Sequence, residues 1–93
     1  MDIRFNFYTA WISPEFKIYP NPSKDEINII FENLQNDGFI EIFDISGQLL
    51  ISKKIQPTNK INSLDAAHIS SGVYIVKFSG QDGLSITKKW IKL

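Results

Sequence analysis

Apolar and polar residues alternate over short runs along this chain, and turn residues separate the runs. No window of a dozen residues holds the 3.6-residue period of an amphipathic helix, whereas a period of two is typical of strands with one buried face. The pattern predicts seven short strands. They span residues 16–19, 26–31, 39–44, 48–55, 60–64, 73–79 and 84–91. Seven short strands in so small a chain favour an antiparallel β-sandwich over a barrel.

The same alternation predicts which side chains face the interior of the sandwich. In the third strand, Ile40 and Ile42 lie opposite the set of positions that carries a glutamate. In the sixth strand, Tyr74, Val76 and Phe78 lie opposite the set that ends in a lysine. Since burial of one such side chain contributes about 1.5 to 3 kcal/mol, these five residues are expected in the core.

Turn-forming residues stand at the breaks between predicted strands. Asn36-Asp37-Gly38 contains the Asp-Gly pair that favours positive φ, so it predicts a tight connection between the second and third strands. Asp44-Ile45-Ser46-Gly47 has a carboxylate at its first position and Gly at its last, which predicts a hairpin with a glycine bulge. Ser79-Gly80-Gln81-Asp82-Gly83 predicts the same arrangement between the last two strands.

Two further motifs predict structural features of a sandwich. Tyr19-Pro20-Asn21-Pro22 contains two residues without a backbone N–H donor, so the chain must leave the first strand here and cross to the next. In residues 65–74, Asp65 is suited to cap a single helical turn, and Gly72 lets the chain reverse into the strand that carries Tyr74. This run is typical of a tyrosine corner, in which the phenol hydroxyl bonds back to the upstream backbone.

Composition excludes several classes of function. The chain has 93 residues, no Cys and one His, so a disulfide framework, a thiolate metal site and an ordinary zinc site are excluded. The net charge is zero, which argues against nucleic-acid binding. Residues 1–50 carry an excess of acidic side chains and residues 51–93 an excess of lysines, which predicts complementary charges across strands. The apolar runs are far shorter than the ~20 residues of a membrane-spanning helix.

The sequence predicts a protein that is not an enzyme and needs no cofactor. His68, the only imidazole, sits beside Ser70 in a tight connection without an orienting third group, so the pair does not form a nucleophile and base. The glycines fall at turns rather than in a phosphate-binding loop.

The last run of the chain, residues 87–93, is basic and amphipathic. As an ordinary strand, its lysines would discourage pairing at an exposed sheet edge. As an exposed terminal strand, it could instead be bound by a receptor through backbone addition, with Trp90 and Ile91 filling pockets. The residues alone leave both interpretations open.

Residues 1–15 have no partner among the predicted strands, although they are rich in aromatic side chains. They are interpreted as a linker or the remnant of an upstream passenger protein, or as an extra edge strand. The folded domain is predicted to span residues 16–93. An exposed sheet edge or the N-terminal segment could exchange between copies, which would give a homodimer.

Four motifs in this order resemble the type A C-terminal sorting domain of type IX secretion cargo. They are Phe16-Lys17-Ile18-Tyr19-Pro20-Asn21-Pro22-Ser23, Ile40-Glu41-Ile42-Phe43-Asp44-Ile45-Ser46-Gly47-Gln48-Leu49-Leu50, Ile69-Ser70-Ser71-Gly72-Val73-Tyr74-Ile75-Val76-Lys77 and the Lys-rich final strand. The resemblance covers residues 16–93. It implies an all-β, seven-stranded, antiparallel immunoglobulin-like sandwich with Greek-key connections and no catalytic activity.

The resemblance also implies a function and partners. The domain would direct an upstream passenger protein across the outer membrane by means of the type IX translocation machinery. A cell-surface sortase would then remove the domain and release the cargo or join it to anionic lipopolysaccharide. The implied destination is the medium or the cell surface, reached through the periplasm.

Site residues are implied by position in the family. Recognition by the secretion machinery is assigned to Lys88, Lys89, Trp90, Ile91, Lys92 and Leu93, and cleavage to the region of Pro14, Glu15 and Phe16. The residues that match signature turns, and are expected to be scaffold, are Tyr19, Pro20, Asn21, Pro22, Asp44, Gly47, Gly72 and Tyr74. An alternative function for such a sandwich is a small adhesion or carbohydrate-binding module, with Phe43 or Trp90 exposed to stack on a sugar.

Overall fold

The computed structural model describes residues 15–93, which form seven β-strands. They are β1 (Glu15–Tyr19), β2 (Glu26–Glu32), β3 (Gly38–Asp44), β4 (Leu49–Ile55), β5 (Ile61–Asp65), β6 (Gly72–Gly80) and β7 (Ser85–Lys92). Every predicted strand is present, and no strand end differs from its prediction by more than one residue. The all-β prediction is confirmed. A linker, a passenger remnant or an extra edge strand is predicted for residues 1–15; residues 1–14 lie outside the described residues, and Glu15 begins β1.

The strands form two antiparallel sheets that enclose one core. One sheet has the strand order β1-β2-β5, and the other has the order β4-β3-β6-β7. The β3–β4 and β6–β7 connections are hairpins within one sheet, whereas the chain crosses between the sheets after β2, β4 and β5. This arrangement confirms the predicted immunoglobulin-like sandwich with Greek-key connections.

Alternate residues of the strands fill the space between the two sheets. The five side chains predicted to face the interior from β3 and β6 are all buried. Phe31 of the three-stranded sheet packs edge-on against Phe78 of the four-stranded sheet, with ring centroids 4.9 Å apart. The buried core consists of Phe16, Ile27, Ile29, Phe31, Ile40, Ile42, Ile55, Leu64, Ala66, Ile69, Tyr74, Val76, Phe78 and Trp90.

Complementary charges from the two halves of the chain meet at two places on the four-stranded sheet. Lys54 Nζ lies 3.7 Å from Asp37 Oδ2. Glu41 of β3 is directly opposite Lys77 of β6. Surface pairs of this kind contribute about 0 to 1 kcal/mol each, so they support the fold without determining it.

Gly38 begins β3, and its role differs from the predicted one. Its φ is not positive, and the connection that precedes it is not a hairpin, because β2 and β3 belong to different sheets. The prediction of a tight Asp-Gly turn is therefore wrong. A Cβ atom at this position would lie 2.5 Å from Cε1 of Phe78 and 2.5 Å from the carbonyl oxygen of Ser79, so close packing requires glycine.

The β3–β4 hairpin has the predicted geometry. Asp44 Oδ1 accepts hydrogen bonds from the Ser46 hydroxyl at 2.6 Å, the Ser46 N–H at 2.9 Å and the Gln48 N–H at 3.0 Å. Gly47 has a φ of +91°. The hydrogen bonds from Ser46 and Gln48 lower the pKa of the Asp44 carboxyl, because they favour its charged form. Any stability from this effect is therefore present at neutral pH and is lost as the pH falls through the lowered pKa.

The connection between β5 and β6 forms the predicted tyrosine corner. Tyr74 Oη donates a hydrogen bond to the carbonyl oxygen of Ser70 at 2.5 Å, and Gly72, which lies between them, has a φ of +155°. Asp65 Oδ1 accepts a hydrogen bond from Ala67 N–H at 3.0 Å. Residues 66–69 form a hydrogen-bonded turn rather than the helical turn expected from the sequence.

Candidate recognition surface

β7 is an edge strand of the four-stranded sheet and contains most of the predicted recognition segment. It pairs with β6 over its whole length, with Trp90 opposite Tyr74 and Ile91 opposite Val73. Directly opposed residues share one face of a sheet. Since Tyr74 faces the core, Trp90 faces it as well. The pairing with β6 therefore decides which side chains of the segment are exposed.

Only part of the predicted segment lies at the surface. Trp90 has no exposed surface, and Lys92 is 7% exposed. Ile91 is half-buried. The exposed members are Lys88, Lys89 and Leu93. The expectation of an exposed terminal strand is therefore wrong for Trp90 and Lys92, whose side chains point between the sheets.

Trp90 is held in the core by a hydrogen bond as well as by packing. Its ring lies 5.4 Å from that of Tyr74. Its indole Nε1–H donates to the hydroxyl oxygen of Ser23 at 3.0 Å. Ser23 is itself fully buried, and its hydroxyl donates to the carbonyl oxygen of Pro20. Both polar groups are thus satisfied inside the sandwich, where an unpaired donor would cost about 1 to 3 kcal/mol.

Residues 20–23, here called the clasp, run beside the outer edge of β7. Ser23 N–H donates to the Ile91 carbonyl at 2.9 Å, and Leu93 N–H donates to the Ser23 carbonyl at 2.7 Å. The Asn21 side chain accepts from Ile91 N–H at 3.1 Å and donates to the Lys89 carbonyl at 3.4 Å. Both prolines of the clasp follow cis peptide bonds.

The clasp closes the final part of this sheet edge. In an antiparallel ladder, residues alternate between bonding to the paired strand and pointing their backbone groups away from it. The backbone N–H and C=O groups of Ile91 point away from β6, and residues of the clasp form hydrogen bonds with both of them. Backbone addition of a receptor strand at residues 89–93 is therefore blocked in this structure. The Tyr19-Pro20-Asn21-Pro22 motif, expected to be scaffold, contacts the segment expected to be recognised.

An open groove of about 470 Å³ lies beside β1, the clasp and β7. It is lined by Lys17, Ile18, Asn21, Lys88 and Lys89. Lys88 Nζ lies 5.7 Å from the centre of the Phe16 ring, within the range of a cation–π contact. Three of the lining side chains are lysines, and Nζ of one of them, Lys17, lies 3.9 Å from Glu32 Oε1. The positive charge on this side of the domain therefore comes mainly from Lys88 and Lys89.

The predicted cleavage region lies at the start of β1. Pro14 is outside the described residues. Glu15 is exposed and is paired with Glu32 of β2, whereas Phe16 is only 1% exposed and belongs to the core. Phe16 is therefore not accessible to a protease while the sandwich is intact.

His68 is exposed and lies near Asp44, Ser70 and Tyr74 around an open groove of about 310 Å³. The Asp44 carboxylate is engaged by its own turn, and the Ser70 carbonyl is engaged by Tyr74. Within residues 15–93, no three His, Cys, Asp or Glu side chains are grouped so that they could hold a metal ion. The same part of the chain contains no helix long and apolar enough to cross a membrane.

One solved structure supports the fold, and a family model supports the family. A DUF3244-family protein with an immunoglobulin-like β-sandwich fold from Bacteroides vulgatus superposes with a TM-score of 0.67, at 14% identity, over 87% of this chain and 95% of that one. CopC from Methylosinus trichosporium OB3b has a TM-score of 0.48, at 20% identity, over 84% of this chain and 91% of its own. No curated protein matches the chain.

The family comparison is more specific than the structural one. The model of the secretion system C-terminal sorting domain matches residues 17–93, which is nearly all of the part that the structure describes. This range contains the clasp, both hairpins, the tyrosine corner and β7. The chain therefore belongs to the family of type IX secretion C-terminal sorting domains.

Proposed function

We propose that this chain is a noncatalytic address that directs an upstream passenger across the outer membrane through the type IX translocation machinery, to the cell surface or the medium. Family membership supports the role. The observation that carries it is the exposure of Lys88 and Lys89 on a strand that the clasp and β6 hold in one position. A receptor can bind every copy of a signal in the same way only if the side chains that it contacts have a fixed position.

The machinery is proposed to recognise side chains rather than backbone at the end of β7. The clasp occupies the outward backbone groups of Ile91, while Lys88 and Lys89 project into solvent. Opposite charges speed the encounter of two proteins, so an acidic receptor surface fits these lysines best. Trp90 and Lys92 would act indirectly, because their side chains hold the strand in place.

Fusion of the whole chain to an inert periplasmic reporter tests this role. In a host with the type IX pathway, the fused reporter is expected at the cell surface or in the medium. In the same host without the translocation machinery, it is expected to stay in the periplasm. Retention in both hosts, or export from both, would contradict the proposed function.

The lysines can be tested in the same assay. The double variant Lys88→Glu/Lys89→Glu is expected to lower the exported fraction several-fold, because it reverses the charge that an acidic receptor would bind. Its control is Lys53→Glu/Lys54→Glu, an adjacent pair on β4 at the opposite edge of the same sheet, which makes the same change in charge but also removes the ion pair between Lys54 and Asp37. Urea unfolding of both variants checks that each is folded. Equal export of the two folded variants would show that Lys88 and Lys89 are not recognised.

A surface sortase is proposed to cleave on the N-terminal side of Phe16. A protease needs several residues in an extended and accessible form, and Phe16 is fixed in the core while Glu15 is paired with β2. The released domain is therefore expected to begin at or before Glu15, as measured by sequencing its N-terminus. A released domain that begins at Phe16 or later would contradict this assignment.

A carbohydrate-binding function is not supported by the aromatic side chains named for it. Stacking on a sugar requires an exposed ring face. Trp90 is completely buried and cannot provide one. Phe43 is only partly exposed, and no observation favours a sugar as its ligand.

A further inference from the structure

The outer face of the four-stranded sheet carries a group of apolar side chains that the core does not use. Phe43 of β3 is directly opposite Leu49 of β4 on one side and Ile75 of β6 on the other. Val73 of β6 is directly opposite Ile91 of β7. These five residues are here called the outer patch. Four of them alternate along their strands with buried residues such as Ile42, Tyr74 and Trp90 and so face away from the core, and Leu49 shares that face because it is directly opposite Phe43.

The outer patch is accessible to solvent. Leu49 is 47% exposed and Val73 is 44% exposed, and the other three residues are partly exposed. Single exposed apolar residues are normal at a protein surface, whereas contiguous groups spread over several strands mark interaction sites. This group spans all four strands of its sheet.

On the basis of the proposed function, we propose that the outer patch is a docking surface for one protein of the secretion machinery. That partner protein would contact the patch with an apolar surface flanked by acidic side chains. The patch is continuous with β7, because Ile91 belongs to both. Lys89 is directly opposite Ile75 and borders the patch without an acidic residue across from it. The next pair of directly opposed residues on this face, Glu41 and Lys77, has no net charge. The border of the patch is therefore positive on the β7 side.

A second copy of this chain fits the outer patch less well than an acidic partner does. Two copies joined through this face would bring the same lysines to both sides of the interface, where like charges repel. A stable interface also involves about 20 to 30 residues on each side, far more than this patch supplies. A small interface of this kind is weak and transient, which suits a signal that is released after transport.

The reporter assay tests the patch with a charge placed at its exposed edge. Val73→Glu is expected to reduce the exported fraction about tenfold or more, because it places a carboxylate against the acidic side chains of the proposed partner. Ile61→Glu is the matched control, because Ile61 is 56% exposed and lies on the outer face of the other sheet, opposite Ile30. Leu49→Glu provides a second patch variant on a different strand. All three are checked by urea unfolding, and only folded variants are compared.

The outcomes separate this inference from the proposed function. If the unmodified chain fails to export the reporter, the proposed function fails and the patch assignment fails with it. If the unmodified chain exports the reporter and folded Val73→Glu and Leu49→Glu match Ile61→Glu, only the patch assignment is wrong. Val73→Lys should be exported better than Val73→Glu, and the reverse order would contradict an acidic partner. Sedimentation that shows a dimer dissociated by Val73→Glu would assign the patch to a second copy and overturn the proposal.

Discussion

Replacement of Trp90 by alanine is expected to lower the free energy of unfolding by about 3 to 5 kcal/mol. The change removes the largest completely buried side chain of residues 15–93, its contact with Tyr74 and its hydrogen bond to Ser23. A domain of this size has a total stability of about 5 to 15 kcal/mol, so the variant is expected to lose a large share of it.

Urea unfolding of the whole chain measures this effect. The matched control is Lys89→Ala, the preceding residue on the same strand, whose exposed side chain should change stability by less than about 0.5 kcal/mol. A loss for Trp90→Ala that is as small as the loss for Lys89→Ala would show that Trp90 is not in the core. That result would contradict the assignment of Trp90 to the inner face of β7 and of Lys89 to its outer face.

The hydrogen bond between Ser23 and Trp90 can be separated from the packing of the ring. Trp90→Phe keeps a ring in the core but removes the indole N–H, and Ser23→Ala removes its acceptor. Ser23→Ala leaves the buried indole N–H without its acceptor, whereas Trp90→Phe leaves the Ser23 hydroxyl with its hydrogen bond to the Pro20 carbonyl. The double variant should therefore cost less than the sum of the two single variants. Additive costs would show that the two side chains do not interact.

The strand boundaries could be predicted from the sequence because the turn chemistry is local. Gly47 and Gly83 both have positive φ in the hairpins predicted from them. The carboxylates of Asp44 and Asp82 each accept a hydrogen bond from the backbone N–H two residues further along the chain. A prediction of this kind needs only four or five consecutive residues. The Asp-Gly pair at Gly38 was misleading because local preference does not show whether the chain stays in one sheet.

The faces of β7 could not be predicted from its own pattern. One alternating set contains Ile86, Lys88, Trp90 and Lys92, and the other contains Lys89, Ile91 and Leu93. Both sets mix lysines with apolar residues, so neither is clearly the inner one. Lys88 is tolerated in the inner set because its charged end lies at the open side of the sandwich, above the Phe16 ring. Only the pairing of Trp90 with Tyr74 resolves the two faces.

The clasp was also beyond prediction from local sequence. Ser23 and Trp90 are 67 positions apart, and their contact depends on how β1 and β7 are placed at neighbouring edges of the two sheets. One general signal was available, since a buried indole N–H usually finds an acceptor. The sequence offers many hydroxyl and carbonyl groups that could fill this role. The fold selects Ser23 among them.

A large effect on export is also expected when the last six residues are separated from the folded domain. A reporter that carries residues 88–93 alone is expected to remain in the periplasm, because an isolated hexapeptide lacks β6, the clasp and the core that fix Lys88 and Lys89. Deletion of the same six residues from the chain would not show whether the machinery recognises a folded surface or a linear peptide. It would remove Trp90 and so destabilise the fold together with the signal.

The decisive measurement compares the exported fraction of two reporters in a host with the type IX pathway, one fused to the whole chain and the other fused to residues 88–93 only. A folded address predicts efficient export of the first and periplasmic retention of the second. Equally efficient export of both would show that the machinery recognises the last six residues as a linear peptide, and that the sandwich is not needed to present them.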